Sequence, residues 1–231
     1  MKLEVKTTKV YKPEILECPI CHKNLKYSYT VSNKIIQFTS GKTRRIKNMG
    51  YSCPYCKDNR IYFSLTANKF AFKGYTYSAK IVCMVDYYKE KEYSRDKICD
   101  ILASHEVLIS DRNIDILYNK FISIYNQDYD SIIKNAYQNM IDEFGFIRLS
   151  IDYITINEIN YVIIYDFFKG NILSIFKFFG TKDPKMKETL SKYISNYPIK
   201  LIITVRGISA FLPLLKSIAP KDCKFISYLK F

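Results

Sequence analysis

Two Cys-Pro-x-Cys repeats, Cys18-Pro-Ile-Cys21 and Cys53-Pro-Tyr-Cys56, are the residues whose type and spacing point most directly to chemistry. Each repeat lets two thiolates on one tight knuckle reach a single ion, and a second knuckle facing the first completes a tetrahedral site. The 31 residues between the repeats leave room for a β-hairpin. Four thiolates fill the coordination shell, so a zinc ion held by Cys18, Cys21, Cys53 and Cys56 supports structure and activates no water. His22 is read as a solvated neighbour of the first pair. Cys83, Cys99 and Cys223 lack paired spacing and are read as core or incidental residues.

A second set of residues is cationic. Between the knuckles, Lys42, Arg44, Arg45 and Lys47 read as a hairpin tip suited to phosphates. The chain carries 36 Lys and Arg against 22 Asp and Glu, a formal charge of +14. Such an excess selects polyanions, with double-stranded DNA the first candidate and an anionic membrane surface the second. A compositional bias that inflates Lys and Tyr together would raise the charge in the same way. The most apolar stretch, residues 161–179, is interrupted by Asp166, Lys169 and Lys177, which predicts no membrane span. Unpaired cysteines and an alternating, charged start over residues 1–10 predict a reducing, cytoplasmic setting without a signal peptide.

The elements that must position these residues fall into three stretches. Residues 1–68 show short alternating runs at 34–38 and 61–65, punctuated by the cysteine pairs, Gly41 and Gly50, and predict a small β module around metal. Residues 75–144 lack glycine, and apolar residues at helical spacing predict three helices. Ser94 is the expected N-cap of a helix over 95–104, and Ser110 of one over 111–125, with a short link between. Such a pair has the form of a helix-turn-helix, whose second helix would set Asp111, Arg112, Asn113 and Asp115 towards DNA, with Asn119 and Lys120 further along. Beyond Gly145, strands over 146–156, 161–168 and 171–179 are expected, with turns at 158–160 and 169–171. A helix over 183–197, a strand over 200–205, a helix over 209–218 and a strand over 224–229 complete the order βββαβαβ. The fold class is α+β and multidomain, divided as 1–68, 69–145 and 146–231.

Three strands followed by alternating helix and strand read as the opening of an RNase H-like fold, with Asp152 in Leu149-Ser-Ile-Asp152 at the place of a metal-binding acid. At this point the sequence resembles the insertion-sequence transposases built from a zinc ribbon, a helix-turn-helix and a DDE catalytic domain. The resemblance rests on the two cysteine knuckles and on Val31-Ser-Asn-Lys34-Ile-Ile-Gln37 with Tyr51-Ser-Cys53-Pro-Tyr-Cys56. It extends through Val107-Leu-Ile-Ser110-Asp-Arg112, Leu149-Ser-Ile-Asp152, Tyr161-Val-Ile-Ile-Tyr-Asp166 and Gly170-Asn-Ile-Leu173.

The family's activity needs three acids holding two metal ions. The second is expected after the fourth strand, where this sequence has Arg206-Gly207-Ile208. The third belongs to a later helix with no counterpart up to Phe231, and Asp166 and Asp222 match no family position. The resemblance therefore implies a transposase-derived, DNA-binding pseudoenzyme with structural zinc, no Mg²⁺ centre and Asp152 as a relic. It would act as regulator, repressor or remnant of a mobile element in a prokaryotic cell or a virus's host. A homo-oligomer is compatible with this reading. Two alternatives stay open: an active transposase or nuclease completed by a partner chain, and a basic module that binds protein or RNA on an RNase H-like scaffold.

Overall fold

The computed structural model describes residues 4–56, 60–180, 183–204 and 211–227. It is mixed α+β and separates into two compact units, Met1–Ile122 and Ser123–Phe231. Among the described residues no helix is long and apolar enough to cross a membrane.

The first unit is built on a three-stranded sheet of order β1-β3-β2, with β1 at Thr7–Tyr11, β2 at Lys26–Gln37 and β3 at Thr43–Ser52. β2 and β3 form the antiparallel hairpin expected between the knuckles, and β1 adds in parallel to β3. Alternation along β3 turns Ile46 and Asn48 into the core and leaves Arg45, Lys47 and Met49 half-buried on the other face. Residues 61–65 are not a strand. Tyr62 exchanges backbone hydrogen bonds with Tyr51 in a single bridge, and the chain then enters helix α1, Leu65–Lys69. Two polar side chains, half-buried Glu14 and buried Asn48, enforce that switch. The Glu14 carboxylate accepts the amides of Leu65 and Thr66, and Asn48, fully buried on β3, bonds both backbone groups of Ser64.

Helices α2 (Ala79–Glu90), α3 (Arg95–Ser104) and α4 (Asp111–Tyr125) follow. Ser94 caps α3 by accepting the Lys97 amide at 3.3 Å, and Ser110 caps α4 by accepting the Asn113 amide at 3.4 Å. Ile98, Leu102, Ile114, Leu117 and Phe121, spaced at three and four, are buried as the periodicity requires.

The hairpin tip holds the turn between α3 and α4. Ser40 donates its amide to the His105 carbonyl at 3.1 Å. With its amide oriented to satisfy both groups, Gln37 donates to Leu108 O and accepts from Leu108 N. Glu106 in that turn is left-handed (φ 57°) and lies against Gly41 (φ 62°), where an added Cβ would stand 2.9 Å from the Glu106 Cβ.

The second unit opens on α5, Tyr129–Phe144, a fourth helix within the stretch where three were expected. Asp128 caps its start and left-handed Gly145 ends it, donating its amide to Ile141 O at 2.7 Å. The expected order then runs β4 (Ile147–Ile156), β5 (Ile159–Asp166), β6 (Ile172–Phe179), α6 (Pro184–Ile194), β7 (Ile199–Thr204), α7 (Leu212–Ile218) and β8 (Lys224–Ser227). The β4–β5 turn is Asn157-Glu158, earlier than the expected 158–160. Asn157 tolerates φ 49°, and Asn160 belongs to the ladder opposite Thr155.

The sheet order is β6-β5-β4-β7-β8, with β4–β5 and β5–β6 antiparallel and β4–β7 and β7–β8 parallel. One face, including Leu149, Ile151 and Ile164, packs with Tyr137 of α5, Leu190 of α6 and Leu215 of α7 in a single core. The apolar stretch 161–179 is thus a strand pair inside this sheet.

Gly41→Ala introduces both left-handed strain and the clash with Glu106. It is expected to lower the unfolding free energy by about 1–3 kcal/mol, read from urea midpoints. Glu106→Gly in the same chain should recover part of the loss.

Candidate functional site

The four cysteines converge on one point. Cys18 and Cys53 are buried, Cys21 and Cys56 are half-buried, and their sulfurs all lie within 4.8 Å of one another. Each close contact crosses between the knuckles: Cys18 to Cys56 at 3.6 Å and Cys21 to Cys53 at 3.5 Å. A tetrahedral zinc with sulfurs at about 2.3 Å sets edges of roughly 3.8 Å, so this donor set fits that ion. The first knuckle is closed by the His22 amide donating to Cys18 O at 3.0 Å and the Cys18 amide donating to Lys23 O at 2.9 Å.

Burial opposes the Cys53 thiolate, but hydrogen bonds from the Tyr55 and Cys56 amides and from neighbouring thiols bring its pKa down to about 7. The bond with Cys21, together with burial, pushes Cys56 up. A dication that displaces the protons removes this competition. His22 stays outside the cluster, its Nδ1 bonded to Glu17 at 2.9 Å and its side chain 73% exposed. Among the described residues these cysteines are the one convergent group of three or more His, Cys, Asp or Glu ligands. Of the other cysteines, Cys83 is buried and Cys99 and Cys223 are half-buried.

The cationic residues are arranged differently from the expected tip. Strand pairing continues to Gln37 opposite Thr43, because the β2 end is anchored by Gln37 and by Phe38 against Phe70. Lys42 alone is in the turn, exposed, while Arg44, Arg45 and Lys47 belong to β3. Arg44 lies over the Phe38 ring at 5.3 Å. Arg45 donates to Asn33 Oδ1 at 3.4 Å across the hairpin. Alternation therefore sends Arg44 to one face of the sheet and Arg45 with Lys47 to the other.

On α4 the residues divide by face. Asp115, expected to look towards DNA, instead accepts Lys89 Nζ of α2 and Arg95 Nε of α3, each at 2.8 Å. The hydrogen bond with Lys89, reinforced by the Arg95 charge, holds its carboxyl below the ordinary carboxylate range. Asn113 is half-buried and hydrogen-bonds Tyr77. Arg112, Asn119 and Lys120 are exposed, and Lys120 lies 5.3 Å from the Tyr75 ring. Between them stands Ile116, 39% exposed, which the sequence reading passed over. Positions 112, 116, 119 and 120 share one helical face, and that spacing is the signal that identifies Ile116.

The acids are dispersed. Asp152, on the central strand β4, is 3% exposed and accepts the Tyr153 amide at 3.0 Å. Asp166 pairs with Leu149, and so lies on the opposite face of the sheet from Asp152. It accepts the Phe168 and Lys169 amides at 2.7 and 3.0 Å, capping the β5–β6 turn, and burial pushes its carboxyl up. Asp222 pairs with Lys200, which holds its carboxyl low. Arg206 lies outside the described residues.

Purified protein is expected to hold one zinc per chain by elemental analysis. Structural zinc contributes roughly 10–16 kcal/mol in small zinc peptides, so Cys56→Ser or strong chelation should release the ion and unfold the sheet module, seen as lost near-ultraviolet dichroism. Asp115→Asn should lower stability by up to about 1 kcal/mol at pH 7. Because the folded-state pKa is depressed, the stabilisation is present above the unfolded value near 4 and is lost as pH falls through the folded value. The gap between Asp115→Asn and its parent should therefore narrow from pH 7 towards pH 3 in denaturation series. No protein-family model matches this chain, and no curated protein or solved structure matches it significantly.

Proposed function

We propose that this is a transposase-like DNA-binding protein that grips duplex DNA through α4, is braced by structural zinc, and does not cut. The observation that carries the reading is the two-sided character of α4. Ile114, Leu117 and Phe121 are buried and Asp115 is tied to two neighbouring helices, while Arg112, Ile116, Asn119 and Lys120 face solvent.

As the second helix of a helix-turn-helix, α4 would enter the major groove. Arg112 suits guanine O6 and N7, Asn119 suits adenine N6 and N7, and Ile116 suits a thymine methyl. Lys42 is in a hairpin turn bonded to the α3–α4 turn through Ser40 and His105, a position for a flanking phosphate. The +14 charge supplies the sequence-independent attraction.

Support for the wider likeness comes from the order of parts: a four-cysteine module, a helical stretch that contains the α3–α4 pair, then βββαβαβ. The second unit's sheet, with its first strand in the centre, antiparallel to the second and parallel to the fourth, favours a partial RNase H-like domain. Asp152 stands on that central strand. The separate engagements of Asp166 and Asp222 favour a regulator or repressor over a nuclease.

Selection from a randomised duplex library should yield a bound sequence, with log affinity falling steeply against log salt. Arg112→Ala and Asn119→Ala should each cost about 1–3 kcal/mol and relax preference at one position, and Lys42→Ala should flatten the salt slope by about one. Unchanged duplex affinity in Arg112→Ala and Asn119→Ala would sink the reading. Strand cleavage with Mg²⁺ or Mn²⁺ that vanishes in Asp152→Ala would overturn the non-cutting part alone.

A further inference from the structure

The outer face of the first sheet combines charge and exposed rings in a way that the duplex reading does not use. β3 directs Arg45, Lys47, Met49 and Tyr51 to this face while Ile46, Asn48 and Gly50 are buried beneath it. Register places Tyr27 opposite Tyr51, Asn33 opposite Lys47 and Ile35 opposite Arg45 on β2, and Val10 beside Lys47 on β1. Val10 is 57% exposed and Tyr27 53% exposed. The Tyr27 and Tyr51 rings, the second half-buried, meet edge to face at 6.0 Å.

Four alternate positions along β3 span about 20 Å, enough for on the order of four nucleotides, the small end of single-strand sites. One end of that line is basic and the other aromatic. Closed base pairs already have both faces stacked, so exposed tyrosine rings gain nothing from a duplex. Unpaired bases, by contrast, stack on such rings for about 1–3 kcal/mol each. An acidic peptide would satisfy Arg45 and Lys47 but would have no use for the rings. The apolar side chains between, Ile35, Met49 and Val10, complement the methyl group that thymine has and uracil lacks.

We infer that the outer face of the β1-β3-β2 sheet is a platform for single-stranded DNA, with Arg45 and Lys47 on backbone phosphates and Tyr27 and Tyr51 stacking bases. It stands independently of α4, so either site can fail without the other.

The test uses zinc-loaded, full-length protein and labelled oligo-dT, oligo-U and mixed-sequence duplex, with anisotropy followed through a salt series. The chain is expected to bind oligo-dT more tightly than oligo-U. Tyr27→Ala with Tyr51→Ala should weaken oligo-dT binding at least tenfold and leave duplex affinity within twofold. Tyr27→Phe with Tyr51→Phe, which keeps the rings, should retain oligo-dT binding. Lys47→Ala should reduce the oligo-dT salt slope by about 0.7, one phosphate's share for a single strand.

Oligo-dT affinity unmoved by the alanine pair would overturn the proposal. Equal loss on the duplex would make this face part of the duplex site, and preference for oligo-U would make it an RNA platform; either defeats the inference. If the alanine pair does not retain zinc, Lys47→Ala decides, since an unaltered slope and affinity rule out the phosphate contact.

Discussion

Four sulfurs within 4.8 Å of one another repel as thiolates and lack enough partners as thiols, so the two knuckles form a set of ligands suited to a cation. The two longest strands of the first unit's three-stranded sheet begin and end beside that arrangement. The knuckles flank the β2–β3 hairpin at its open end, and the hairpin's closed end is bonded to the turn ahead of α4 through Ser40 and Gln37. Ten residues of strand carry that connection over about 33 Å. The cysteine cluster is thus joined through one hairpin to a helix far from itself.

The opposite anchor of α4 is electrostatic. Asp115 receives one cation from α2 and another from α3, and Lys89 of that pair also lies 5.8 Å from the Tyr118 ring of α4. A carboxylate with two cationic partners resists rotation of the helix about its axis in a way that interchangeable apolar contacts do not. Fixing that rotation decides which residues face solvent, and leaves Arg112, Ile116 and Asn119 in a row.

Much of this was legible in local sequence. The cysteine pairs, the Ser94 and Ser110 caps, Pro184 after Asp183 and the order βββαβαβ each depend on residues a few positions apart, which a single chain displays. Helix α5 was legible too, from Asp128, Gly145 and the spacing of Ile133, Tyr137 and Met140, but the run without glycine merged it with its neighbours. Other features depended on partners distant in sequence. Arg44, Arg45 and Lys47 read as a turn because their strand is set by Gln37 and Phe38 across the hairpin. Asp115 read as a surface acid because Lys89 lies a helix away. Ile61 to Leu65 read as a strand because the Glu14 carboxylate that draws the chain into α1 lies fifty positions earlier. Sheet order in the second unit is likewise a long-range pairing that no local pattern encodes.

Asp152, Asp166 and Asp222 show how electrostatics separates a metal centre from its scaffold. A two-metal site requires carboxylates desolvated together, where their mutual repulsion is relieved only by cations. Here each acid has a partner of its own: the Tyr153 amide, the turn amides at Phe168 and Lys169, and Lys200. The β4–β5 register sets Asp152 and Asp166 on opposite faces of one sheet, so neither raises the other's need for a counter-ion. The cysteine knuckles are the reverse case, with four ligands that share one point and compete for the same protons. Within one chain, the ligands whose geometry calls for a cation are the four cysteines, while each of the three acids has a partner of its own.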